Sequence, residues 1–227
     1  MEDDKKNRIA IYTCITGDYE YPTDGFKKKK GYDYYLFCDK VFPVKSWQMM
    51  IPKYSEDTKL SDVKRQRLIK THPFWVLNDY DIVVWVDANT TIDDKLYRYI
   101  ERNKNNKITF KIHPERDCIY SELKECVFWG KESVELGQHL FRMYDQEQYP
   151  KHNGLYETNI IISHIHEPEV VDLYNAWWVQ IYTYSHRDQL SLNYVIWKNK
   201  MKNVVTAVRS YDFPPKPHQK IERKHEV

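Results

Sequence analysis

The run Asp81–Val86, DIVVWV, is apolar after its first residue and passes directly into Asp87-Ala88-Asn89. Such a stretch suits a buried strand, and its end on a carboxylate and an amide two residues apart needs a reason. Two other runs behave alike. Arg8–Thr16, RIAIYTCIT, stops at Gly17, and Tyr32–Asp39, YDYYLFCD, again ends on an acid. Helical patterns lie between and after them. Ser61–Thr71 has Ser61 as its cap and Pro73 just past its end. Asp93 or Asp94 caps a helix through Arg102, and residues 103–107 form a turn. Lys107–His113 is a strand, and Asp117–Phe128 and Ser133–Gln148 are helical. Thr158–His164 is a strand, Pro168–Tyr182 a helix, and a last helix runs from about Arg187 to Lys198. Asn203–Val208 is a short strand, and the tail from Tyr211 is extended. Strands alternating with helices predict an α/β fold with a largely parallel sheet. Ligands of such sheets bind beyond the carboxyl ends of the strands. If those strands are neighbours, Asp39, Asp87 and the Thr13–Gly17 turn share one edge.

A chain of 227 residues suits one domain. We expect residues 1–92 and 93–210 to form its two halves and 211–227 a tail. The formal net charge of +2 lacks the basic excess of a nucleic-acid binder. The one basic run, Lys27-Lys28-Lys29-Lys30, falls between Gly25 and Gly31. It reads as a solvated turn, with contact to an anionic membrane or polymer as the alternative. Tyr and Trp are abundant, but such rings serve cores as well as sugar contacts and decide nothing alone.

Cys14, Cys38, Cys118 and Cys126 show neither a CxxC pair nor zinc-ligand spacing, which points to a reducing compartment. No apolar run is long enough to cross a bilayer, and the start MEDDKKNR lacks a signal core. A cytoplasmic protein, or one domain of a larger multidomain enzyme, is expected.

A DxN at a strand end can aim two oxygens at one point. Hard cations such as Mg2+ or Mn2+ take such ligands, filling the shell from phosphates and water. Both residue types also simply favour turns. Neither GxGxxG nor a Walker A loop occurs, nor G-x-S-x-G, nor H-E-x-x-H. His164 and His166 alternate at a strand end and suit a strand face better than a metal pair. KRQRLIK (Lys64–Lys70) stacks Lys64, Arg67 and Lys70 at helical spacing with Arg65 on another face, either as a solvated face or within reach of a diphosphate. In SHRDQLSLNYVIWK, Asp188 falls in the first turn of a helix. It either answers the helix dipole or enters a cleft as a base or hydroxyl acceptor.

Five segments together resemble a known family: KRQRLIKTHPF, YDIVVWVDANTTI, KIHPERDCIYSELKEC, GLYETNIIISHIHEPEVVDLYNAWW and YSHRDQLSLNYVIWK. The family is a set of glycosyltransferase-like proteins long catalogued as a domain of unknown function. Its plant members include a turgor-regulation protein and mucilage-synthesis proteins. The resemblance spans roughly residues 60 to 200 and implies a GT-A fold, a Rossmann-like nucleotide-sugar domain with a mixed, mainly parallel sheet. It also implies Mn2+ or Mg2+ held by a strand-end acidic motif. The order is similar to that of retaining enzymes of the glycogenin type, except that Asn89 stands for the second acid of DxD and Leu190 for that of DQD. By position, Thr13, Thr16, Gly17, Asp39, Arg65, Asp87, Ala88 and Lys220 would hold the nucleotide sugar, and Asp87, Asn89 and His218 the metal. His113, Arg116 and Trp177 would line the acceptor side, and Asp188 or Glu157 would be the catalytic carboxylate. The activity implied is transfer of a sugar from a nucleoside diphosphate donor, a UDP-sugar foremost, to a glycan hydroxyl, inverting or retaining. The competing readings are a non-catalytic carbohydrate-binding module of the same fold and a ceramidase-like lipid amide hydrolase.

Overall fold

The computed structural model describes residues 7–18, 21–52 and 60–209. Its strands are β1 (Ile9–Ile15), β2 (Tyr32–Cys38), β3 (Gln48–Met50), β4 (Ile82–Val86), β5 (Ile108–Ile112), β6 (Tyr156–His164) and β7 (Val205–Val208). They form one sheet in the order β3-β2-β1-β4-β6-β5-β7. Every pairing is parallel except those of β6, which runs antiparallel to both β4 and β5. The helices are α1 (Asp62–Thr71), α2 (Pro73–Val76), α3 (Asp94–Asn103), α4 (Ile119–Phe128), α5 (Val134–Gln146), α6 (Pro168–Thr183) and α7 (Gln189–Lys198).

β1 and β4 are buried at every position, as their unbroken apolar runs require. Alternate residues feed two cores. Ala10, Tyr12, Cys14, Val83 and Trp85 face a large cluster shared with α1, α4, α6 and α7. Ile9, Ile11, Ile15, Val84 and Val86 face a smaller one closed by Leu96, Tyr97 and Ile100 of α3. Helix starts follow local chemistry: Asp93 accepts from the Lys95 and Leu96 N–H groups, and Ser133 from that of Leu136. α7 is buried from Leu190 to Ile196, so it is a central helix rather than a surface one.

Two elements differ from the sequence reading. β3 was not anticipated; its three residues are all exposed at the sheet edge, so no apolar pattern marks it. Pro73 ends α1 but also opens the single turn of α2, where its missing N–H costs nothing. Among the described residues no helix is long and apolar enough to cross a membrane.

Candidate active site

β2, β1 and β4 are parallel neighbours, so Asp39, Gly17 and Asp87 emerge together at one edge of the sheet. β5 ends at the same edge, and antiparallel β6 begins there, which adds His113 and Glu157. The convergence expected from the strand ends is therefore present.

At the β1–β2 side the Gly17 N–H donates to Asp39 Oδ2 at 2.8 Å, and the Thr16 hydroxyl donates to the Asp62 carbonyl at 2.5 Å. Gly17 has φ +66, and a Cβ there would lie 2.4 Å from Asp62 Oδ2. Only glycine meets both demands. Arg65 Nη1 reaches Asp62 at 3.5 Å and Asp39 at 4.0 Å, while its Nε donates to the Leu60 carbonyl. Gly17, Asp39 and Arg65 thus form one polar corner.

Asp87 opens a tight turn, its carbonyl accepting from Thr90 N–H and its own N–H donating to the Asn159 carbonyl across to β6. Oδ1 of Asp87 accepts from the Trp85 indole N–H at 2.9 Å and lies 3.7 Å from Lys70 Nζ. Oδ2 takes neither contact. Asn89, two residues on in the same turn, is exposed.

Lys70 is the centre of the arrangement. It is 1% exposed, and its ammonium donates to Asp188 Oδ2 at 2.5 Å and sits 5.2 Å from the Trp85 ring centroid. Asp188, also buried, collects further donors. Thr158 Oγ1 lies at 3.2 Å and Arg67 Nε at 3.5 Å from Oδ2, and the Gln189 N–H donates to Oδ1 at 3.0 Å, capping α7. Burial alone would raise the pKa of Asp188, but Arg67 and then Lys70 outweigh it and hold the carboxyl well below the usual range.

The acceptor side is a second network. His113 Nδ1 accepts from the N–H groups of Glu115 and Arg116, and burial, with Arg116 beside it, lowers the pKa of the ring. Arg116 Nε donates to buried Glu122 at 2.6 Å. Glu157 pairs with Lys111 at 2.8 Å and keeps a quarter of its side chain exposed. It sits where the β5–β6 register jumps from Phe110↔Ile161 to Lys111↔Glu157, which leaves Thr158, Asn159 and Ile160 unpaired with β5. The irregularity turns Thr158 toward Asp188, as bulges beside clefts commonly re-aim a side chain.

Several expected site residues lie elsewhere. Trp177 is fully buried in the core and donates its indole N–H to the Asp188 carbonyl, so it cannot line an acceptor surface. Thr13 is sealed within β1, short of the strand end, its hydroxyl without a hydrogen-bond partner. Ala88 is buried in the smaller core, and its carbonyl accepts from the Thr23 N–H. Asp188 is buried, and its oxygens accept from Lys70, Thr158 and the Gln189 N–H, a setting that does not suit a base. His218 and Lys220 lie outside the described residues. Thr158, Trp85 and the depth of Lys70 went unread in the sequence. The i, i+3 spacing of Arg67 and Lys70 was the available signal, but it did not say which face was buried.

No group of three or more His, Cys, Asp or Glu side chains able to hold a metal occurs among the described residues. Asp87 Oδ2 and the exposed Asn89 amide nevertheless fit a hard cation that draws most of its shell from a diphosphate and water. They do not make a site that would keep one without that diphosphate.

No protein-family model matches the chain. No curated protein matches it either. Solved structures do match. One is the WbbM bifunctional glycosyltransferase, at 11% identity and a TM-score of 0.50, covering 92% of this chain; the chain spans 39% of that protein's length. Mouse xyloside xylosyltransferase 1 gives 7% identity and a TM-score of 0.48, covering 88% of this chain and 84% of its own. A glycosyltransferase involved in glycosylation of the major capsid of PBCV-1 gives 10% and 0.42, covering 89% and 82%. At 11% identity the first likeness is one of fold alone, and the lower scores of the other two add nothing to it. The fold is the mixed, mainly parallel GT-A type expected.

Proposed function

We propose that the protein is a glycosyltransferase that moves a sugar from a nucleoside diphosphate donor, a UDP-sugar foremost, to a glycan hydroxyl. The observation that carries this reading is the corner of Gly17, Asp39 and Arg65 beside the Asp87–Lys70–Asp188 linkage, all beyond the carboxyl ends of parallel strands. The motif resemblance and the shared fold support it. Fold by itself does not establish chemistry.

In this reading Asp39 and the Gly17 turn hold the nucleoside, and Arg65 faces the diphosphate. Its guanidinium offers paired donors to phosphate oxygens. Asp87 and Asn89 would hold Mg2+ or Mn2+, which supplies Lewis-acid neutralisation of the leaving group. Lys70, locked by Asp188, fixes the Asp87 carboxylate against the sugar end of the donor. The acceptor oxygen attacks the anomeric carbon as the bond to the diphosphate breaks. In an inverting reaction Glu157 takes the acceptor proton, being the partly exposed carboxylate on the acceptor side. In a retaining reaction that proton leaves with the diphosphate.

Calorimetric titration with UDP, UDP-sugars and GDP-sugars, with and without Mn2+, tests the reading. Nucleotide binding lost in Asp39→Ala is expected. Binding of glycans without any nucleotide would replace the transferase with a carbohydrate-binding module.

A further inference from the structure

We propose that the Lys27–Lys30 loop docks the protein on an anionic lipid bilayer. The inference is independent of the transferase reading. In sequence the four lysines look like a loose solvated turn, but three of them, Lys27, Lys28 and Lys29, are held from beneath. The Lys29 N–H donates to the Tyr34 hydroxyl at 2.9 Å, and the Tyr97 hydroxyl donates to the Lys27 carbonyl at 3.0 Å. The two tyrosine oxygens lie 2.7 Å apart, and both rings belong to the smaller core. Lys28 Nζ stands 5.8 Å from the Tyr34 ring centroid and Lys29 Nζ 5.2 Å from that of Tyr97. All four lysines are exposed.

Like charges held side by side repel, so this presentation acts against the run's own electrostatics. Little among the described residues offsets it: no ion pair there reaches any of the four, and Glu101 attracts Lys29 less than it does Lys104. Glu101, the acid on the adjoining turn of α3, is already taken by Lys104 at 2.7 Å and the Tyr32 hydroxyl at 2.5 Å. A run of four exposed ammonium groups, two of them seated over tyrosine rings and little compensated, is complementary to a plane of phosphate headgroups.

The geometry favours a bilayer over nucleic acid. The charges belong to four consecutive residues of one loop rather than to a stripe along an element, and the net charge is only +2. The tyrosine rings beneath are covered by the lysines themselves, so no ring face is offered for base stacking. The loop leads into the start of β2, at the end of the sheet opposite the candidate site. Docking there leaves the cleft open to solution.

The test is cosedimentation of the full chain with phosphatidylcholine vesicles, with and without a fraction of phosphatidylserine. Binding to the anionic vesicles alone, reversed by added salt, is expected. Changing Lys27, Lys28, Lys29 and Lys30 to Gln should weaken it by roughly a hundredfold to a thousandfold. The same number of Lys→Gln changes at the exposed Lys124, Lys151, Lys200 and Lys202 should leave it near the parent value, which separates the patch from net charge. Thermal melting checks that each variant is folded. Equal binding by the two quadruple variants would overturn the proposal, as would tighter retention by duplex DNA than by anionic vesicles at the same salt.

Discussion

Lys70 Nζ lies 2.5 Å from Asp188 and 3.7 Å from Asp87, so one buried ammonium joins the start of α7 to the end of β4. Lys70 and Asp188 are both buried, and the cost of burying each charge is offset by the other. The DxN turn is therefore held from behind by a charge relay that starts on α7.

Asp188→Ala should destabilise the fold by about 3–5 kcal/mol, because it leaves the buried Lys70 with only the more distant and partly exposed Asp87 as counter-charge. Urea denaturation of Asp188→Ala, Lys70→Met and the double variant should show the pair coupled, the double losing less than the sum. A loss below about 1 kcal/mol for Asp188→Ala would class the pair with surface ion pairs and sink the idea.

Gly17→Ala should cost roughly 1–2 kcal/mol from the left-handed backbone alone, with the clash against Asp62 added. It should also move the N–H that meets Asp39, so nucleotide affinity falls with stability. Unchanged titration of UDP by the variant would separate this turn from the nucleotide.

Metal should bind weakly or not at all until a diphosphate is present, since Asp87 and Asn89 supply too few ligands by themselves. Asn89→Asp adds a carboxylate and should tighten Mn2+ binding in the presence of UDP, read by the relaxation of water protons. Tight Mn2+ binding by the nucleotide-free parent would contradict this.

Glu157→Gln should lower turnover by about 10²–10⁴-fold if Glu157 is the general base, with UDP affinity kept. Product stereochemistry is the companion measurement. A variant with near-parent turnover and a retained anomeric configuration would remove Glu157 from proton transfer.

His72 carries a pH dependence away from the site. Burial, the largest influence, lowers its pKa from 6.5 to about 4 against the opposing hydrogen bonds. The unfolded chain then binds more protons between those values, so stability is full above pH 6.5 and declines as pH falls toward 4. The loss is about 3 kcal/mol. His72→Phe should flatten the stability curve across that window; an unaltered slope in urea melts would assign it to other groups.

All strands but β3, their polar ends and two helix caps, Ser61 and Asp93, were legible in the sequence, because apolar runs and caps are decided within a few residues. Asp39, Gly17 and Asp87 were found that way, at one edge, since parallel strands carry their carboxyl ends together. Strand order, the reversal of β6 and the register jump at Phe110/Lys111 were decided only by packing. So was the burial of Lys70 against a residue 118 positions away. The same packing put Trp177 inside rather than on the acceptor side, where the family resemblance had placed it, and decided the two readings of Asp188 for a buried helix cap over a cleft residue. A local pattern says that a helix has a charged or aromatic face; only the neighbours it meets in three dimensions determine whether that face is covered.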